Sequence, residues 1–141
     1  MIEVLAGLEG TALAQHLKAS RWTYPLVNAG HVLGIALLVG AVLPMDVAVL
    51  RGRGAAAVRL LRPWAVTGFV LAVACGALLF ITQAGDYLGS LWFRLKMALL
   101  FAALVNAALH LRSGTPSRRA ALISLVLWPC VRLSGRMIAY G

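Results

Sequence analysis

The chain has few acidic residues and few charged residues in all, which argues against a soluble domain. Only 4 of its 141 residues are Asp or Glu, against 13 Lys and Arg, and 12% of all residues are charged. A soluble domain carries about a quarter charged residues, so this chain has too little polar surface to cover a globule in water. The sequence also shows no paired carboxylates and no Ser–His–acid set, which argues against a hydrolase.

Cysteine is scarcer still. The two cysteines, Cys75 and Cys130, form no C-x-x-C pair, and both lie inside apolar runs. They are predicted to be small buried hydrophobic side chains rather than a disulfide framework or a zinc site. The chain begins without basic residues, and its first strongly apolar run starts near Pro25, so no cleavable signal peptide is predicted. The 62% hydrophobic content predicts one all-α integral membrane domain over residues 1–141.

Four apolar runs, each about the 20 residues that a bilayer requires, predict four transmembrane helices. They cover residues 25–45, 64–84, 91–111 and 120–140. Residues 1–20 have an amphipathic pattern but are too polar to span, so they are predicted to form a helix at the membrane interface. Because the connections are short, consecutive spans are expected to be antiparallel neighbours, which predicts an up-down-up-down four-helix bundle.

The basic residues predict how the bundle is oriented. Seven arginines lie in the first and third connections: Arg51, Arg53, Arg59, Arg62, Arg112, Arg118 and Arg119. Four basic residues lie on the opposite side, so the positive-inside rule places these two connections in the cytoplasm and both termini in the periplasm of a bacterial inner membrane. The net charge of +9 is explained by contact with the lipid bilayer, and nucleic acid is not an expected partner.

Ionisable side chains inside a membrane are costly, which makes each a candidate for a functional site. His31 lies near the outer edge of the first span. Three cations lie at a comparable outer depth in the third and fourth spans: Lys96, Arg132 and Arg136. No acid is expected within the hydrocarbon of that half, so an anionic ligand, such as the propionates of haem or a lipid phosphate, would balance the cations.

The histidines differ in depth, and this limits how they could hold a haem. One haem needs two axial ligands at nearly the same level, and His110, near the cytoplasmic end of the third span, is too deep to pair with His31. His16 could fold over the bundle to the level of His31, and Met97 is the less favoured second ligand. The open alternative is that His31 packs structurally, with its ring bonded to a backbone carbonyl.

Several motifs carry a family resemblance. The pattern H-x-x-G-x-x-x-x-x-G runs from His31 to Gly40 and is followed by Asp46 and Gly52. An R-L-K triplet within residues 92–97 and the closing G-R-M-I-A-Y of residues 135–140 extend the likeness over nearly the whole chain. Together they resemble a family of small four-helix bacterial integral membrane proteins that is defined by sequence rather than by activity. That family is distantly similar to copper-resistance D type proteins and to four-helix b-type cytochromes.

The resemblance implies haem or copper, and the leading hypothesis is a membrane protein that binds one haem b in the outer half of the bundle. A diheme cytochrome needs two histidines at each of two depths, whereas this chain has three in all. Gly30 and Gly34 form a G-x-x-x-G, which permits close approach of a second helix or of a flat ligand such as the haem ring. The expected role is one-electron transfer between a periplasmic partner and the quinone pool or a neighbouring membrane subunit, rather than that of a stand-alone enzyme.

Two alternatives belong to other classes. A copper-handling permease component would use soft or imidazole ligands, namely His31, Met97, Cys75 and Cys130. A cofactor-free structural subunit would pack against a larger membrane complex. A homo-oligomer is also expected, and a site shared between two subunits would make His110 as well as His31 available as a ligand.

Overall fold

A computed structural model describes residues 2–112 and 117–140, with the side chains of residues 2 and 110–112 outside that description. The described chain forms these elements: α1 Ile2–Glu9, α2 Ala12–Ala19, α3 Thr23–Leu50, α4 Gly54–Phe80, α5 Ala84–Gly89, α6 Leu91–Arg112, α7 Arg118–Met137 and a final 3-10 turn Ile138–Tyr140. Four helices, α3, α4, α6 and α7, are long and apolar enough to cross a membrane. The prediction of an all-α protein with four spans is therefore confirmed.

The helices extend beyond the apolar runs that predicted them. α3 begins at Thr23, where the Ser20 hydroxyl accepts a hydrogen bond of 3.1 Å from the Thr23 amide. It continues to Leu50, past residue 45, and α4 begins at Gly54 rather than at residue 64. Hydropathy detects only the part of a helix that lies in hydrocarbon, whereas backbone hydrogen bonding continues into the polar interface. At its other end α4 stops at Phe80, before residue 84, where the second apolar run ends.

The N-terminal segment is two short helices rather than one. The chain breaks at Gly10 and Thr11, where the Thr11 hydroxyl donates to the carbonyl of Leu8 at 2.8 Å and accepts from the amide of Ala14 at 3.3 Å. This side-chain bonding competes with a continuous helix and caps the start of α2. The position of α1 and α2 at a membrane interface stays a prediction.

α3 and α4 approach each other closely because glycines face each other across their interface. A Cβ atom at Gly34 would lie 2.5 Å from the amide nitrogen of Ala72 and 2.8 Å from the carbonyl oxygen of Gly68. A Cβ atom at Gly30 would lie 2.9 Å from the Sγ atom of Cys75. Of the two alternatives for the G-x-x-x-G, the structure therefore shows the close approach of a second helix.

The bundle is open along one side. α3 packs on α4, α7 packs on α3 and α6 packs on α7, but α4 and α6 are not closely packed within the described chain. This corrects the expectation that all consecutive spans are packed neighbours. The short helix α5 connects α4 to α6 along the chain. Next to α5, Phe80 of α4 stacks on Phe93 of α6, with ring centroids 5.6 Å apart. Side chains rather than backbones therefore bridge the two helices there.

Glu9 links the N-terminal helices to α5. Its Oε1 atom accepts from the Gly85 amide at 3.0 Å, and its Oε2 atom lies 3.4 Å from the Nζ atom of Lys18. The Gly85 hydrogen bond, with help from Lys18, holds the pKa of Glu9 below its usual range. A lowered pKa means that this link is present at neutral pH and is lost as pH falls through the lowered value.

We expect Glu9→Gln to lower the protection factor of the Gly85 amide against hydrogen exchange at neutral pH, and acidification to do the same in the natural protein. The effect is expected to stay below about tenfold in protection factor, because exposed ion pairs contribute little. Glu3→Gln, which changes another exposed acid of α1, is the control and should leave exchange unchanged. Protection at Gly85 that is the same in both variants and at all pH values would contradict the link.

Candidate functional site

A cavity of about 680 Å³ lies inside the bundle at one end. We call this the upper end: its walls come from the first half of α3 and α6 and the second half of α4 and α7, which shows that the four spans alternate in direction. α5 contributes Leu88 to the wall. The polar side chains of this upper cavity are Asn28, His31, Lys96, Arg132 and Arg136. The structure thus brings together His31 and the three cations that the sequence placed in the same half of the bundle.

The ring of His31 is held in one orientation. Its Nδ1 atom lies 2.7 Å from the carbonyl oxygen of Ala72 on α4. A carbonyl can only accept a hydrogen bond, so Nδ1 carries the hydrogen and the neutral ring keeps its lone pair on Nε2. The ring packs on Gly76, where a Cβ atom would lie 3.0 Å from Cε1 of His31. The alternative in which the His31 ring bonds to a backbone carbonyl is therefore observed. A metal-binding histidine usually makes the same kind of bond through the ring nitrogen that does not hold the metal.

The cations leave the upper cavity with an unbalanced positive field. Lys96 and Arg132 are close enough for their positive charges to repel each other. The stem of Lys96 packs on Gly135, where a Cβ atom would lie 3.4 Å from Cδ of the lysine. No Asp or Glu is among the described residues that line the cavity. A negatively charged group would therefore be stabilised here.

Arg136 is partly satisfied within its own helix end. Its Nη2 atom donates to the hydroxyl of Tyr140 at 3.1 Å, and its guanidinium lies 5.3 Å from the centre of the same ring. Arg136 also lines the upper cavity and is exposed. It is therefore placed at the mouth, where it can meet either a ligand or the membrane surface.

Three aromatic rings cluster at the α5 end of the upper cavity, and two of them, Phe80 and Phe93, line its wall. Tyr87 of α5 lies 5.4 Å from Phe93 and 6.2 Å from Phe80, measured between ring centroids. Burial raises the pKa of the Tyr87 hydroxyl, so it stays a neutral donor at physiological pH. Phe69 and the buried Trp128 line the deeper wall. Sequence reasoning missed this aromatic lining, although Phe80, Tyr87 and Phe93 flank the connection between the second and third spans.

Of the two proposed partners of His31, the structure brings Met97 and not His16 into the site. Met97 lines the upper cavity. His16 is exposed on α2, outside the cavity lining, and its Nε2 atom lies 3.4 Å from the Thr23 hydroxyl. The expectation that His16 folds into the site is corrected, because Ala14 and Leu17 form the buried face of α2 and His16 projects from another side. The His110 side chain lies outside the described residues.

The glycines and cysteines also lie outside the cavity lining. Gly30 and Gly34 face α4 rather than the cavity, so their predicted contact with a flat ligand is not part of the site. Cys75 packs against Gly30, and neither Cys75 nor Cys130 lines the upper cavity. Within the part of the chain that the structure describes, no three His, Cys, Asp or Glu side chains converge as a metal site.

Comparisons with family models, with curated proteins and with solved structures gave no match to this chain.

Proposed function

We propose that the protein binds one haem b in the upper cavity and serves one-electron transfer in the membrane. The observation that carries the proposal is His31, with its lone pair on Nε2, in a cavity that has three cations and no acid in its described lining. A haem combines a metal that takes an imidazole ligand with an apolar ring and anionic propionates. When bound, it supplies the one-electron chemistry.

Each part of the cavity has a counterpart in such a ligand. Nε2 of His31 would bind the iron, and the Ala72 carbonyl would fix the ring by holding Nδ1–H. Lys96 and Arg132, with Arg136 at the mouth, would bind the propionates by charge-assisted hydrogen bonds. The thioether of Met97, which lines the same cavity, would be the second ligand of the iron. The volume of about 680 Å³ falls within the range of about 300–1,000 Å³ that small-molecule sites occupy.

The setting that we propose for this chemistry is a bacterial inner membrane with both termini in the periplasm. The upper cavity would then open toward the periplasm, where a soluble partner could exchange electrons with it. The quinone pool or a neighbouring membrane subunit, including a second copy of the chain, would be the other partner. The support is the excess of arginines at the opposite end of the bundle.

The geometry of the upper cavity supports the copper-handling and structural-subunit hypotheses less well than it supports haem binding. A copper-handling component would need soft ligands close together, but the described Met and Cys side chains do not converge on His31 beyond Met97. The positive field also opposes a metal cation without an anionic carrier. A cofactor-free structural subunit would leave the cations of the upper cavity without a function.

The test is an absorption spectrum of the detergent-purified protein from cells supplied with haem, first air-oxidised and then reduced with dithionite. We expect a Soret band that shifts on reduction, with sharp alpha and beta bands if two axial ligands hold the iron. A featureless spectrum at high protein concentration, together with no haem on extraction, would reject the proposal.

A further inference from the structure

A second, smaller cavity lies below the first, toward the other end of the bundle. Its volume is about 290 Å³, and Leu38, Phe69 and Trp128 line both cavities and separate them. The polar side chains of this lower cavity are Asp46, Arg62, Asn106 and Ser124, one from each span. It lies between apolar walls and is small enough to hold one ring with its polar substituents.

Asp46 presents an unsatisfied acceptor at this site. Its Oδ2 atom is buried and has no hydrogen-bond partner, while the carboxyl interacts with the hydroxyl of Ser124. Asp46 forms no ion pair with any residue that the structure describes. One N–H of the Asn106 amide is occupied, because Nδ2 donates to the carbonyl of Ala120 at 3.0 Å. A buried acceptor without a donor is costly, so a ligand that brings a hydroxyl donor would be stabilised here.

The rest of the lower cavity defines the ligand further. Phe69 and the buried Trp128 offer aromatic walls for a flat ring. Arg62 lines the same cavity, and its positive charge disfavours a metal cation there. The open side between α4 and α6 leads to lipid, and Val66 in the cavity wall is 53% exposed. A ligand with an apolar tail could therefore enter sideways from the bilayer.

We propose that the lower cavity binds the head group of a membrane quinol, with one quinol hydroxyl donating to Oδ2 of Asp46. The ring lies against Phe69 and Trp128, and the isoprenoid tail leaves between α4 and α6. This inference deepens the proposed function, since it names the membrane partner, and its meaning for electron transfer rests on that function. The binding itself requires no haem.

The test is calorimetric titration of the purified protein with a short-tailed ubiquinol under anaerobic conditions. We expect Asp46→Asn to weaken binding by about tenfold or more, because it removes an acceptor for a charge-assisted hydrogen bond. Ser124→Ala, which removes the hydroxyl beside Asp46, is expected to weaken it by a smaller factor. Asp86→Asn, a change to an exposed acid of α5, is the matched control and should bind like the natural protein.

Three results would overturn the inference: no binding to the natural protein, equal binding to Asp46→Asn and Asp86→Asn, or displacement of the quinol by an anionic phospholipid at equal concentration. The haem spectrum of the same samples separates this inference from the proposed function. His31→Ala should lose the spectrum and keep quinol binding, whereas Asp46→Asn should do the reverse. Quinol binding in a protein without a haem spectrum would reject the proposed function and leave the lower site standing.

Discussion

His31→Ala is expected to leave the protein folded in the membrane but without haem. His31 supplies the imidazole of the upper cavity within the described chain, and its Nδ1 bond to Ala72 fixes where Nε2 lies. Loss of a group that only hydrogen-bonds to a metal ligand typically lowers metal affinity by about 10–100-fold, so loss of the ligand itself should lower haem content by more than tenfold. Haem per chain, measured after extraction, gives the result directly.

A matched variant and a chemical rescue distinguish loss of the iron ligand from misfolding of the protein. His16→Ala removes a histidine that is exposed and outside the upper cavity, so it should retain haem. Imidazole added to His31→Ala should restore part of the spectrum, because the truncated side chain leaves space for a free ligand; a misfolded protein would not respond. Normal haem content in His31→Ala, or loss of haem in His16→Ala alone, would reject the assignment of the ligand.

The helices were predictable because their cause is local. A run of about 20 apolar residues is stable in a bilayer only when its backbone bonds internally, and α6 follows its predicted range closely, at Leu91–Arg112. The start of α4 was not predictable in the same way. Arg59 and Arg62 lie on the helix rather than in a loop, since hydrogen bonding continues where hydropathy has already fallen.

The site was predictable to the extent that depth alone decides it. The rise per residue placed Lys96 and Arg136 near the level of His31 and Arg132 one turn deeper, and all four line one cavity. The position of His16 depends instead on which face of α2 becomes buried, and tertiary packing decides that. The separation of α4 from α6 is also a result of tertiary packing. Because the sequence does not give that separation, it could not predict the aromatic walls or the lower cavity.

The contact between α3 and α4 leads to the largest expected effect on stability. At Gly34 a Cβ atom would lie 2.5 Å from the backbone nitrogen of Ala72, so Gly34→Ala forces two backbones apart rather than moving a flexible side chain. Overpacking of this kind costs about 1–3 kcal/mol, and a clash with backbone belongs at the upper end. The shift would also move Ala72, whose carbonyl holds His31, so haem content should fall together with the unfolding temperature in detergent.

Gly40→Ala is the matched control for Gly34→Ala, because Gly40 lies on the same helix and a Cβ atom there meets nothing within 4 Å. Alanine in a helix is favoured over glycine by up to about 1 kcal/mol, so Gly40→Ala should unfold at the same temperature or higher. The two identical substitutions are thus expected to act in opposite directions, which helix propensity alone cannot produce. Equal stabilisation by both, measured by circular dichroism during heating, would mean that α3 and α4 do not meet at Gly34. The orientation of His31 would then lose its structural basis as well.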